Sequence, residues 1–177
     1  MAKQTQAQTI NKVFMYISGI AAVLALGLGG LAFWAHDYTS KMVQTELSAQ
    51  KIYFPAKGDA ALDPATYPNL QQYAGQIVDS PQKAKAYANG YIGRHLKKIA
   101  DGKVYAEVSA ESMKDPENQK LQQQKQSLFQ GETLRGMLLT SGYGFGTVGA
   151  IAGVGAYSAF VISGLLAVVV FMLRLRS

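Results

Sequence analysis

Apolar residues are concentrated near the two ends of the chain, and polar residues fill the middle. Val13 to Ala35 and Gly136 to Leu173 contain no Lys, Arg, Asp or Glu. A helix needs roughly 20 apolar residues to cross a hydrocarbon core of about 30 Å, so each run is long enough to span a bilayer. The pattern predicts a first transmembrane helix over 13–35 and a second over 148–173. Residues 136–147 are then an outer interfacial or hinge segment, because the second run is too long for one straight span. The intervening 36–135 reads as a small, mostly helical domain, and the fold class is a mainly α membrane protein.

Helical periodicity continues past the first run. Met42, Val43, Leu47 and Ile52 recur through polar residues, predicting that the first transmembrane helix continues outward as one rod. Ile52-Tyr53-Phe54-Pro55 breaks that rod, and Pro64, Pro68, Gly58 and several aspartates mark an extended loop to Asn69. Ser80 followed by Pro81 is a helix start, and Ala84, Ala88, Ile92, Leu96 and Ile99 carry helical spacing to a stop at Asp101-Gly102. Val104 to Val108 alternates apolar and polar residues, as in a short strand or a connection. Asp115-Pro116-Glu117 predicts the opening of a third helix, which Leu121, Leu128, Leu134 and Leu138 carry toward the second span, with Gly131 weakening it.

Charge sets the expected orientation. Lys3 and Lys12 precede the first span, Arg174 and Arg176 follow the second, and all eleven acidic residues lie between Asp37 and Glu132. The positive-inside bias therefore places 1–12 and 174–177 in the cytoplasm and 36–135 outside. The outer segment holds thirteen Lys and Arg against eleven Asp and Glu, a net of plus two. The whole-chain charge of +6 is thus mostly topogenic, and no nucleic-acid surface is expected. A cleaved signal peptide is disfavoured by the length of the first run and by the bulky Phe33-Trp34 at its end. Trp34 at the outer end and Phe14 and Tyr16 at the inner end read as interfacial aromatics. Cysteine is absent, which removes disulfides and thiolate metal sites.

Candidate chemistry is sparse. An iron site of two histidines and a carboxylate would need both His36 and His95 with Asp37 or Asp101, and nothing in their spacing favours it. Gly144-x-Gly146-x-x-Gly149 matches a dinucleotide fingerprint but enters an apolar span with no βαβ context. The glycines read better as helix-packing features. Gly149 and Gly153, extended by Gly155 and Ala159, make one small-residue stripe, and Ala21, Ala25 and Gly29 make another. These stripes serve either packing of the two spans on each other or packing against further helices. At the outer edge, Tyr143 and Phe145 alternate with Gly142, Gly144 and Gly146 and join Trp34 as candidate anchors in lipid. Tyr53, Phe54, Tyr67, Tyr73, Tyr87 and Tyr91 are core or contact aromatics of the central domain, with core the favoured reading.

Four segments carry a resemblance: Leu70 to Asp79, Ala84 to Ala88 with His95-Leu-Lys97, Tyr105 to Ser112, and Leu128 to Gly136. They look like a family of small two-span actinobacterial membrane proteins, whose members are often labelled aromatic ring-opening dioxygenase. The sequence lacks the histidine and carboxylate set that label would require. The chain is also similar to the prokaryotic respiratory supercomplex association factor family, two-span accessory proteins of the cytochrome bcc and aa3 oxidase assembly. That similarity implies integral membrane partners, no cofactor and no catalytic residue. The expected function is a non-enzymatic accessory or assembly subunit in contact with membrane lipid. The alternative is an outward-facing module binding a lipid or envelope component through its aromatics and the 142–146 segment.

Overall fold

The computed structural model describes residues 2–175; Arg176, one of the topogenic cations, lies outside the described residues. Helix accounts for 81% of the structure, and among the described residues no strand forms. Helix α1 runs Ala2–Ala49, followed after a long loop by α2 (Pro81–Lys85), α3 (Gly93–Ile99), α4 (Tyr105–Lys114), α5 (Gln119–Met137) and α6 (Phe145–Arg174). Wider π turns over Ala86–Ile92 and Leu138–Gly144 join α2 to α3 and α5 to α6 without breaking either helix.

The chain divides into two compact units, Met1–Ser40 with Val148–Ser177, and Lys41–Thr147. In the first unit, α1 and α6 belong to helical runs long and apolar enough to cross a membrane, Gln8–Ala49 and Gln119–Arg174. Only 6% of the most apolar stretch of each run is buried, unlike the core helix of a soluble protein. Two such helices fit a two-pass membrane protein.

The second unit is built around an aromatic row. Lys51, at φ +52°, turns the chain out of α1, and residues 52–55 then run antiparallel to 75–78. Phe54 N donates to Gln76 O at 2.9 Å, and Val78 N donates to Ile52 O at 2.8 Å. This pairing presses Phe54 inward, where its ring lies 5.2 Å from Tyr73 and 5.0 Å from Tyr87. Tyr87 contacts Tyr91 at 5.0 Å, and Tyr91 contacts Tyr67 at 5.5 Å. Such pairs contribute about 0.5–1.5 kcal/mol each beyond the area they bury. Phe54 and Tyr67 are therefore core, Tyr73, Tyr87 and Tyr91 are partly buried and pack against it, and Tyr53 is 55% exposed. Leu47, Leu62, Leu70, Val78, Leu96, Val108, Leu128 and Leu138 complete the core.

Three sequence expectations are corrected. Val104–Val108 forms neither strand nor connection: Val104 N donates to Glu107 Oε2 at 2.8 Å and starts α4, whose Val108 is fully buried. Two-residue alternation over so short a stretch is outweighed by this local cap. The third independent helix starts after Asn118, not at Asp115-Pro116-Glu117, because Asn118 Oδ1 accepts the Leu121 N–H at 3.2 Å. Residues 136–146, expected in part as a hinge, are helical throughout. Their glycines permit close approach: a Cβ on Gly142 would sit 2.8 Å from the Ala84 Cβ, and one on Gly146 would overlap the Pro81 ring.

Candidate helix-packing and membrane-facing site

Two rows of mostly small residues, each repeating every seven positions, bring α1 and α6 together. On α1 the row is Ala22, Gly29 and His36, and on α6 it is Gly149, Ala156, Ser163 and Val170. A seven-residue repeat keeps one face of a helix on its neighbour through successive turns of a left-handed pair. The pairing is antiparallel: His36 meets Gly149 and Gly153, Gly29 meets Ala159 and Phe160, Ala22 meets Ser163, and Gly19 faces Val170.

Glycine fits these contacts closely: an added Cβ would force a shift at Gly29 and Gly153 and would be tight at Gly149. A Cβ on Gly29 would lie 2.8 Å from Phe160 Cε1, one on Gly153 would lie 2.8 Å from His36 Nδ1, and one on Gly149 would lie 3.2 Å from Thr39. Small residues let the backbones come close enough for polar bonds between the helices. His36 Nδ1 lies 2.7 Å from Gly149 O. A carbonyl can only accept, so Nδ1 carries the hydrogen in this bond. Ser163 Oγ likewise donates to Ala22 O at 2.9 Å. Phe33 packs edge-on to Tyr157 at 6.5 Å and tilted to Phe160 at 6.4 Å along one margin of the seam.

The structure distributes the expected packing residues unevenly. Gly29, Gly149, Gly153 and Ala159 lie on the seam between α1 and α6, while Ala21 and Ala25 are half-buried beside it. Gly155 lies off the seam with nothing within 4 Å, and its neighbour Ala156, fully buried, takes the inward position. One residue turns a helix by about 100°, which is enough to make that difference. Ala22, His36, Ala156, Phe160 and Ser163 were not among the expected packing residues. The seven-residue spacing was the available signal, hidden by the more familiar G-x-x-x-G spacing of Gly149 and Gly153.

Away from the seam the surface is apolar. Val23, Leu28, Leu31, Ile151, Val154 and Leu165 are among the exposed large hydrophobics. Gly27, Gly30, Gly155 and Gly164 would each meet nothing within 4 Å. Of the expected anchors, Trp34 is exposed and stacks on Tyr38 at 5.7 Å, and Phe145 is exposed. Tyr143 is already engaged: Lys85 Nζ donates to its hydroxyl at 3.1 Å and lies 4.5 Å from the ring centre.

In the second unit a groove of about 270 Å³ is bordered by Arg94, Lys97, Lys103 and Arg135. Three of these cations have partners. Lys103 pairs with Glu111 at 2.7 Å, Arg135 bonds Glu132 at 3.2 Å and Asn89 at 3.0 Å, and Arg94 donates to Thr66 O. Among the described residues no group of three or more His, Cys, Asp or Glu is arranged to hold a metal ion. His36 and His95 fall in different units. Burial raises the Tyr87 phenol above its ordinary value, with Tyr91 adding to the effect, and burial raises Tyr91 ahead of the influence of Tyr67 and Asp59.

No protein-family model, curated protein or solved structure matches the chain.

Proposed function

We propose that the protein is a non-enzymatic accessory or assembly subunit of a bacterial membrane complex. Its termini lie in the cytoplasm and residues 36–135 outside, as the basic flanks imply. The observation that carries this reading is the division among the glycines of the two long helices. Gly29, Gly149 and Gly153 are used where α1 meets α6, whereas a Cβ at Gly27, Gly30, Gly155 or Gly164 would meet nothing within 4 Å. A glycine inside a helix costs about 1 kcal/mol relative to alanine. Against lipid that cost brings no contact in return, whereas against another helix it permits close backbone approach. Gly27 and Gly30, three residues apart, share one side of α1 and mark where such a helix would lie.

The cytochrome bcc and aa3 oxidase assembly is the proposed host, on the chain's similarity to the prokaryotic respiratory supercomplex association factor family. The alternative is an outward-facing module that binds a lipid or envelope component; in its 142–146 segment Phe145 is exposed, while Gly142 and Gly146 pack on Ala84 and Pro81 and Tyr143 bonds Lys85.

Purification in mild detergent tests the proposal. A membrane complex should copurify in fixed stoichiometry with the wild-type chain and be lost from Gly30→Leu or Gly155→Leu, while both variants keep the α1–α6 pairing. Recovery of the wild-type protein alone overturns it.

A further inference from the structure

Where the N-terminal part of α1 passes the last turns of α6, the pair leaves an open groove of about 600 Å³. This lies within the roughly 300–1,000 Å³ of pockets that hold small organic ligands. Its walls are apolar, including Ile20, Val23, Leu24 and Val170, and Tyr16 and Arg174 are the polar residues on its lining. Gly19 keeps it open: a bare Cβ there would already lie 3.9 Å from Val170 Cγ2, and a longer side chain would extend into the space. Lys12 is exposed one helical turn before Tyr16, on the same side of α1.

We propose that this groove binds one anionic phospholipid, with an acyl chain along Gly19, Val23 and Val170 and the phosphate held by Arg174 and Lys12. The division of chemistry matches such a molecule. An acyl chain is apolar along its length and carries its charge at one end, and the groove is apolar with one cation, Arg174, toward the C-terminal end of α6. Guanidinium and phosphate form paired charge-assisted hydrogen bonds. Anionic lipids attract basic residues flanking a span. An apolar partner helix would fill the walls but place hydrocarbon against Arg174. This inference concerns a different surface from the glycines of the proposed partner contact and stands independently of it.

Native mass spectrometry of the full chain provides the test, after reconstitution in nanodiscs holding equal amounts of phosphatidylglycerol and phosphatidylcholine. The wild-type protein is expected to retain one phosphatidylglycerol at about tenfold preference over phosphatidylcholine. Arg174→Gln should bring that ratio close to one. Gly19→Leu should remove both lipids, and Val154→Ala, at an exposed position off the groove, should behave as wild type. Circular dichroism verifies that each variant keeps its helices, and the Arg174→Gln ratio decides the question even if Gly19→Leu misfolds. Equal retention of the two lipids by the wild type overturns the proposal. So does unchanged preference in Arg174→Gln, or a photo-crosslink from Val23 that captures protein and no lipid.

Discussion

His36 and Gly153 are fitted to one another: a single methyl group on the glycine would stand 2.8 Å from the imidazole Nδ1, which itself lies 2.7 Å from the carbonyl oxygen of Gly149. One side chain of α1 thus occupies a notch made by two glycines a turn apart on α6. Bond and notch are separable by mutation.

His36→Phe keeps a ring in the notch and removes the donor. Hydrogen bonds between membrane helices average about 0.6 kcal/mol and reach about 1.7, so the loss should fall in that range. Gly153→Leu forces the ring out, and overpacking typically costs about 1–3 kcal/mol. Unfolding by titration with a denaturing detergent should therefore rank Gly153→Leu as the more damaging. The reverse order would mean that the bond, and not the fit, governs this contact.

The antiparallel register predicts a covalent link. The chain has no cysteine of its own, and an ideal Cβ on Gly29 lies 3.2 Å from the Ala159 Cβ, close to the range of about 3.5–4.5 Å in disulfides. The variant Gly29→Cys, Ala159→Cys, made with Phe160→Ala to clear the ring that a Cβ at Gly29 would meet at 2.8 Å, should oxidise to a monomer with an internal bridge, visible as faster migration on a non-reducing gel. Covalent dimers in place of that species would show that the seam joins two chains.

Alkaline pH should loosen the second unit. Tyr87 and Tyr91 both have raised phenol pKa values, mainly through burial. The folded state therefore holds these protons more tightly than the unfolded chain, whose tyrosines titrate near 10. Their contribution is fully present below about pH 10 and is lost as pH rises through the folded-state values. Helix content should fall at lower denaturant above pH 10 than at pH 8. Tyr87→Phe, which cannot ionise, should flatten that slope; an unchanged slope would assign it to other groups.

Much of the architecture was legible from local pattern. The two apolar runs, the extension of α1 beyond the first of them, the Ser80-Pro81 start and the Asp101-Gly102 stop all appear where the residues indicate, whereas α1 ends at Ala49, before the break expected at Ile52-Tyr53-Phe54-Pro55, because Lys51 turns the chain. Each depends on a few neighbouring residues: a missing charge, a fixed proline φ or a capping oxygen. The failures were of the same kind. Asn118, and not Asp115, caps α5, and Glu107 reaches back to start α4, because competing caps a few residues apart differ by only about 1 kcal/mol.

The chain by itself determined that two helices are apolar over a bilayer's width and that a balanced, mostly helical segment separates them, since hydropathy and helix signals are local. Only the tertiary structure decided which glycine serves which purpose. Gly146 and Gly155 have the same chemistry, yet one abuts Pro81 and the other meets nothing, because what a missing Cβ makes room for depends on a residue far away in the chain. The same holds for His36, whose partner Gly149 is 113 residues distant and which becomes a packing residue only once α1 and α6 run antiparallel at close range.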